Sequence, residues 1–253
     1  MSSTPRFIAV IPARYQSSRL AGKMLLDLAG QPMIVHVVKR VQQSRASAVY
    51  VATDDDRIRS VCEQAGVKVC MTNPAHQSGT DRIAEVAQQL QLASDTIVVN
   101  VQGDEPLIPP AVINQVVANM AARPQTGICT LYSDIHDEAE FHNPNAVKLV
   151  TDAAGNVLYF SRAPIPWPRD GHEAGTLWGK RHLGIYAYRV QVLQEFVRWP
   201  PSPLEQLEKL EQLRALTHGV GIHAERCCEA IPPGVDTAED LALVRQLLAA
   251  HNP

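Results

Sequence analysis

Short β-branched runs alternate with helical stripes through the first half of the chain. Phe7 to Ile11 is an apolar run that stops at Pro12. Ile34, Val37, Val38 and Val41 then recur at i, i+3, i+4, i+7, one apolar face of a helix that Pro32 suits at its start and that ends near Ser44. Ala48 to Thr53 reads as the next strand, and Asp54, Asp55 and Asp56 supply caps for a helix running toward Ala65. Val67 to Met71 is a third strand. Ile83, Val86, Ala87 and Leu90 mark a helix opening after Ser78-Gly-Thr-Asp-Arg82. Thr96 to Val101 is a continuous apolar strand of the kind buried on both faces, followed by a helix carrying Ile113, Val116, Val117 and Met120. This alternation is the pattern of an α/β fold: a mostly parallel sheet covered by crossover helices.

From about residue 127 to 189 the rhythm changes to short strands with few helical stripes: Ile128 to Leu131, Val147 to Thr151, Val157 to Phe160 and Leu183 to Tyr188. The expectation is a β-rich subdomain inserted into one domain that covers 1–253. Pro164, Pro166 and Pro168 around Trp167 exclude a central strand there and suit an extended loop. A helical pattern returns from Pro203 to Thr217, and Ile222 to Glu225 is a last strand. Thr237 with Asp240 resembles a capping box before a terminal helix with Leu241, Val244 and Leu248.

Charge narrows the class of function. With 23 basic and 26 acidic residues among 253, the formal charge is −3, so no broad basic surface for nucleic acid is expected and any anion site must be local. Cysteines at 62, 70, 129, 227 and 228 form no Cys-x-x-Cys pair, which points to reduced thiols in a cytoplasmic protein. Pro12 and Arg14 interrupt the N-terminal apolar run, and no later run approaches membrane-spanning length, so a soluble chain with no membrane role is expected.

The local anion site is the loop after the first strand. It delivers Arg14, Arg19 and Lys23 to one place among Ser and Gly residues, where backbone N–H groups and fixed cations suit a nucleoside triphosphate. The loop fits neither the Gly-x-x-x-x-Gly-Lys-Ser/Thr phosphate loop nor the Gly-x-Gly-x-x-Gly turn, and three cations facing water is the bland alternative. Asp104 and Glu105 follow the Thr96 to Val101 strand, at the carboxyl end where α/β sheets bind ligands. Asp104 and Asp236 are candidate magnesium ligands, since magnesium takes one or two carboxylates plus substrate phosphates. Helix capping is an equal reading for Asp236.

Eight strings in order carry a resemblance: Ile11-Pro-Ala-Arg-Tyr15, Arg19-Leu-Ala-Gly-Lys23, Ser78-Gly-Thr-Asp-Arg82, Gln102-Gly-Asp-Glu-Pro106, Ser161-Arg-Ala-Pro-Ile-Pro166, His182-Leu-Gly-Ile-Tyr186, Leu210-Glu-Gln-Leu-Arg214 and Gly234-Val-Asp-Thr-Ala-Glu-Asp240. Together they resemble the 3-deoxy-manno-octulosonate cytidylyltransferases over nearly the full chain. One departure is Ala21-Gly-Lys-Met24, where that family usually has proline on both sides of Gly-Lys.

The resemblance implies a three-layer, Rossmann-like nucleotidyltransferase fold whose β-rich insert forms a homodimer. It also implies transfer of CMP from CTP to 3-deoxy-D-manno-octulosonate (KDO), with pyrophosphate released, for lipopolysaccharide biosynthesis. By the same resemblance Arg14 and Lys23, with Arg19 as a third, hold triphosphate oxygens, and Asp104 and Asp236 hold Mg2+. Ser78, Thr80, Arg82 and Gln102 fall on the cytidine side, with N-capping as the alternative for Ser78 and Thr80. Arg162, His182, Tyr186, Glu211 and Gln212 fall on the sugar-acid side, Arg162 because a guanidinium forks onto a carboxylate. His182 and Tyr186 as a packed core pair, and Glu211 and Gln212 as solvent-facing helix residues, are the bland readings. A sialic-acid-type nucleotidyltransferase and a non-catalytic nucleotide-binding protein are the rival functions.

Overall fold

A computed structural model describes residues 5–16, 20–173 and 175–251. The first strand, β1 (Phe7–Pro12), leads through a 3-10 turn at Lys23–Leu25 to a two-strand ribbon, β2 (Asp27–Leu28) and β3 (Gln31–Pro32), and then to α1 (Met33–Gln42). Next come β4 (Ala48–Thr53), α2 (Asp56–Gln64), β5 (Lys68–Met71), α3 (Gly79–Gln89), β6 (Ile97–Asn100), α4 (Pro110–Ala121) and β7 (Ile128–Ile135). The remainder is α5 (Glu138–His142), β8 (Lys148–Thr151), β9 (Val157–Ser161), β10 (Gly179–Arg189), α6 (Val190–Phe196), α7 (Pro203–Glu208), α8 (Gln212–Thr217), β11 (Ile222–Arg226) and α9 (Ala238–His251).

The main sheet has the order β11-β7-β10-β6-β1-β4-β5. β1 is parallel to β4 and β6, β4 to β5, and β7 to β11, whereas β10 is antiparallel to both β6 and β7. One reversed strand therefore sits inside an otherwise parallel sheet. Side chains alternate across it: Ala9 and Ile11 join the core formed with α1, α2, α4 and α9, and Val10 joins the core under α3, α6 and α8. The result is three layers, as expected. Among the described residues no helix is long and apolar enough to cross a membrane.

Three sequence expectations are redrawn. The 127–189 stretch is not separate from the sheet at its ends, because β7 and β10 are central strands; only β8 and β9 stand off the main path, with β8 pairing β10. The expected helix from Pro203 to Thr217 is two helices. The chain turns between them at Lys209, whose left-handed φ of 53° interrupts the helical backbone. The third is small: Pro32 stands at the start of α1 as expected, but as the last residue of the ribbon, immediately before the first helical turn.

Candidate active site

The loops after β1 and β6 meet at the carboxyl ends of these neighbouring parallel strands and enclose, with the start of α3, a cavity of about 270 Å³. Gly103 makes the meeting possible. A Cβ there would stand 2.9 Å from both the Met24 sulfur and the Pro12 carbonyl oxygen, so any side chain would push the two loops apart. Gly22 has a φ of 65° and lies under the Tyr15 ring, against which a Cβ would sit at 3.2 Å. Arg57 stacks on that ring at 3.3 Å, bracing the loop that carries Arg14 and Lys23. Both cations line the cavity, Arg14 exposed and Lys23 nearly buried. Arg19 lies outside the described residues.

Lys23 joins the two acidic loops. Its Nζ donates to Asp104 Oδ2 at 2.7 Å and to Asp236 Oδ1 at 3.0 Å. Burial works against its charge, but the two carboxylates outweigh burial and hold its pKa above the ordinary lysine value. The helix cap beside Asp236 is made by its neighbour: Asp240 N donates to Thr237 Oγ1 at 3.2 Å, and Thr237 N donates to Asp240 Oδ2 at 2.9 Å. This reciprocal box leaves the Asp236 carboxylate facing the cavity rather than capping α9.

The α3 start serves two purposes. Ser78 lines the cavity and also closes a capping box with Asp81. Arg82 lines the cavity too, but its guanidinium is tied to Thr72 Oγ1 and Asp54 Oδ2, each at 2.7 Å. It therefore forms a fixed cationic wall, and Asp54, read from sequence only as a helix cap, is its counter-ion. Thr80 departs from the cytidine-side expectation. It is 2% exposed, does not line the cavity, and donates to Glu211 Oε2 at 2.6 Å. His76 and Gln77, which no sequence signal marked, line the cavity instead.

Beside this cavity lies a second group of the expected residues, on β10 and α8. Gln102 bridges the two places, lining the cavity and donating to the Gly184 carbonyl at 3.1 Å. β10 carries a bulge between Leu183 and Tyr186 relative to β7. His182 and Tyr186 remain on one face, their rings 5.2 Å apart, with Tyr188 stacked on Tyr186. Burial pulls the His182 pKa down to about 3, so its imidazole is neutral, and Nε2 lies 3.0 Å from Thr130 Oγ1. Burial raises the Glu211 pKa, opposed in part by the hydroxyls of Thr80 and Ser78, and Glu211 Oε1 is sealed from water. Gln212 is buried at the start of α8. Neither Glu211 nor Gln212 is a solvent-facing helix residue.

Arg162 sits differently from its expected role. Its Nε donates to the Glu208 carbonyl at 2.6 Å, Nη1 to the Pro144 carbonyl at 2.9 Å and Nη2 to the Lys209 carbonyl at 3.4 Å. The fork is engaged with three backbone carbonyls, so it pins the turn between α7 and α8 rather than offering a free carboxylate clamp. Glu208 strengthens the same joint by accepting from Ser161 Oγ and Arg162 N. Sequence reasoning also left Glu105 without a role. Burial first, then the charge of Asp104, pushes its carboxyl up to about 8, and its Oε2 is sealed and unpartnered among the described residues.

Comparison with known proteins bears on the family and the fold. A family model described as cytidylyltransferase matches residues 8–225. A protein of Cellvibrio japonicus named 3-deoxy-manno-octulosonate cytidylyltransferase is 55% identical over 250 residues, covering 96% of this chain and 98% of that one. A protein of the same name from Tolumonas auensis is 55% identical over 246 residues, 96% of each chain. Among solved structures, a CMP:2-keto-3-deoxy-manno-octonic acid synthetase complexed with CTP superposes with a TM-score of 0.90 at 43% identity, covering 98% of this chain and 99% of that one. A cytidylyltransferase from Leptospira borgpetersenii, 16% identical with a TM-score of 0.63 over 98% of this chain and 87% of its own, shares the fold. Similarity of this extent, in sequence and in backbone, makes the chain a member of the 3-deoxy-manno-octulosonate cytidylyltransferase family.

Proposed function

We propose that the chain transfers CMP from CTP to the anomeric hydroxyl of KDO, releasing pyrophosphate, and so activates this sugar acid for lipopolysaccharide assembly in the cytoplasm. The observation that carries the reading is the convergence of Lys23, Asp104 and Asp236, from three separate loops, on a cavity adjoining the His182, Tyr186 and Glu211 group. The relatives' shared name supplies the acceptor and the CTP complex of the solved neighbour supplies the nucleotide.

The donor set fits a divalent cation. Asp104 and Asp236 already converge on one positive charge, the Lys23 ammonium, and both carboxylates reach solvent, with side chains 28% and 47% exposed. Magnesium is commonly held by one or two carboxylates, with substrate phosphate and water completing its shell. When bound there, Mg2+ would neutralise triphosphate charge and ease ionisation of the acceptor hydroxyl. Arg14 and Lys23 hold phosphate oxygens, and the Arg82 wall adds fixed positive potential without reorganising. Gln102, His182, Tyr186 and Glu211 orient the acceptor, so the attacking oxygen meets the α-phosphorus opposite the departing pyrophosphate. Neutral His182 donates or accepts a hydrogen bond without adding charge. We further propose a homodimer through β9 and α7, where Leu158 is 64% and Leu207 81% exposed, with Trp167 exposed on the loop that follows β9 in the chain.

The metal reading is tested by measuring pyrophosphate release from CTP and KDO with and without excess EDTA. Chelation is expected to abolish turnover, and magnesium to restore it. Undiminished activity in EDTA would overturn the role given to Asp104 and Asp236.

A further inference from the structure

Glu211, proposed above to contact the sugar acid, is held by a residue of the nucleotide side. Thr80 is the second residue of α3, the helix whose Ser78, Gly79 and Arg82 line the nucleotide cavity, yet Thr80 itself does not line that cavity. Its hydroxyl donates to Glu211 Oε2 at 2.6 Å across 131 positions of sequence. A hydroxyl-to-carboxylate bond of this length is of the strong, charge-assisted kind. The other oxygen, Oε1, is sealed from water, and the Ser78 hydroxyl at the start of the same helix also acts on this carboxylate. The Glu211 carboxylate is thus anchored to the start of α3, on the nucleotide side of the site.

We propose that Thr80 is a positioning residue for the sugar acceptor: by bonding Glu211 Oε2 it fixes the orientation of that carboxylate, so that acceptor affinity depends on the helix that binds the nucleotide. Thr80 need not touch either substrate. Its buried hydroxyl does the positioning, which separates this role from N-capping, since Ser78 provides the cap through its bond from Asp81 N. The inference rests on the reading of Glu211 as an acceptor ligand.

Steady-state kinetics on Thr80→Val, Thr80→Ser and Glu211→Gln test it. Thr80→Val keeps the volume and removes the donor, so KM for KDO should rise about tenfold or more, the scale of one lost bond to a charged group, while KM for CTP stays within about twofold. Thr80→Ser, which keeps the hydroxyl, should bring KM for KDO back to within about threefold of the parent. In a Glu211→Gln background, Thr80→Val should add little, because the two changes remove one interaction. If Thr80→Val is not recovered folded, Thr80→Cys gives the same readout with a weak S–H donor and an intermediate rise in KM. Unchanged KM for KDO in Thr80→Val, or equal rises for both substrates, overturns the proposal. If Glu211→Gln itself leaves KM for KDO unaltered, the acceptor reading of Glu211 has failed instead; a large effect of Glu211→Gln with none of Thr80→Val sinks only the role of Thr80.

Discussion

Replacing Asp236 by asparagine separates chemistry from architecture at one side chain. The cap of α9 is made by Thr237 and Asp240, so the substitution leaves it in place. Among the described contacts the one lost is to Lys23, whose contact to Asp104 at 2.7 Å remains. The Asp236 side chain is 47% exposed, so solvent screening limits its ion pair to about 1 kcal/mol or less, or a melting shift of roughly 4 °C at most for a chain of this size. Turnover should respond on another scale. A preorganised charge at the reacting phosphate is worth on the order of 100-fold or more, and the amide brings none. Thr237→Ala reverses the pattern: loss of the cap costs about 1 kcal/mol, a fall of roughly 2–4 °C, with turnover largely retained. Thermal melts and pyrophosphate release at saturating CTP and KDO measure both. Near-parental turnover in Asp236→Asn, or an inactive Thr237→Ala of unchanged melting temperature, would refute the assignment.

Other outcomes follow from the same geometry. Arg162→Lys cannot reach three carbonyls, so it should lower the melting temperature by roughly 5 °C or more and weaken KDO use through the α7–α8 turn; a specific loss of KDO affinity at unchanged stability would reinstate a direct carboxylate contact. His182, with its folded pKa at about 3 against an ordinary 6.5, contributes stability that is present above pH 6.5 and lost as pH falls toward 3. Nuclear magnetic resonance should accordingly find no titration of its ring between pH 5 and 8, and an ordinary titration there would show that the site is wetter than described. Leu158→Asp combined with Leu207→Asp should give monomers in sedimentation, whereas a persisting dimer would move the interface elsewhere.

The sheet and most helices were legible because period and punctuation agree: Ile34, Val37, Val38 and Val41 are all buried on α1, and Ser78 and Asp55 cap the helices that follow them. The reversed strand β10 and the place of β7 beside it were not, since an apolar run in a central sheet looks the same whichever way it points. The break at Lys209 escaped because a left-handed lysine carries no sequence mark of the kind glycine gives. At the site, charged residues at strand ends could be placed near the ligand, but which of them face it depends on partners far along the chain. Arg82 meets Asp54, Arg162 meets Pro144 and Lys209, and Thr80 meets Glu211. Asp236 is ambiguous in sequence because a cap and a ligand ask for the same residue type, and it is Thr237 that makes the cap.

The central claim is tested most directly by one matrix of reactions: the purified chain with magnesium, each of CTP, UTP, ATP and GTP, and either KDO or N-acetylneuraminate, with pyrophosphate and the nucleotide sugar as readouts. The account predicts pyrophosphate and CMP-KDO in equal amounts from CTP with KDO, and far less product from every other pair. Turnover of N-acetylneuraminate in preference to KDO, or binding of CTP without pyrophosphate release in the presence of any of these acceptors, would contradict it.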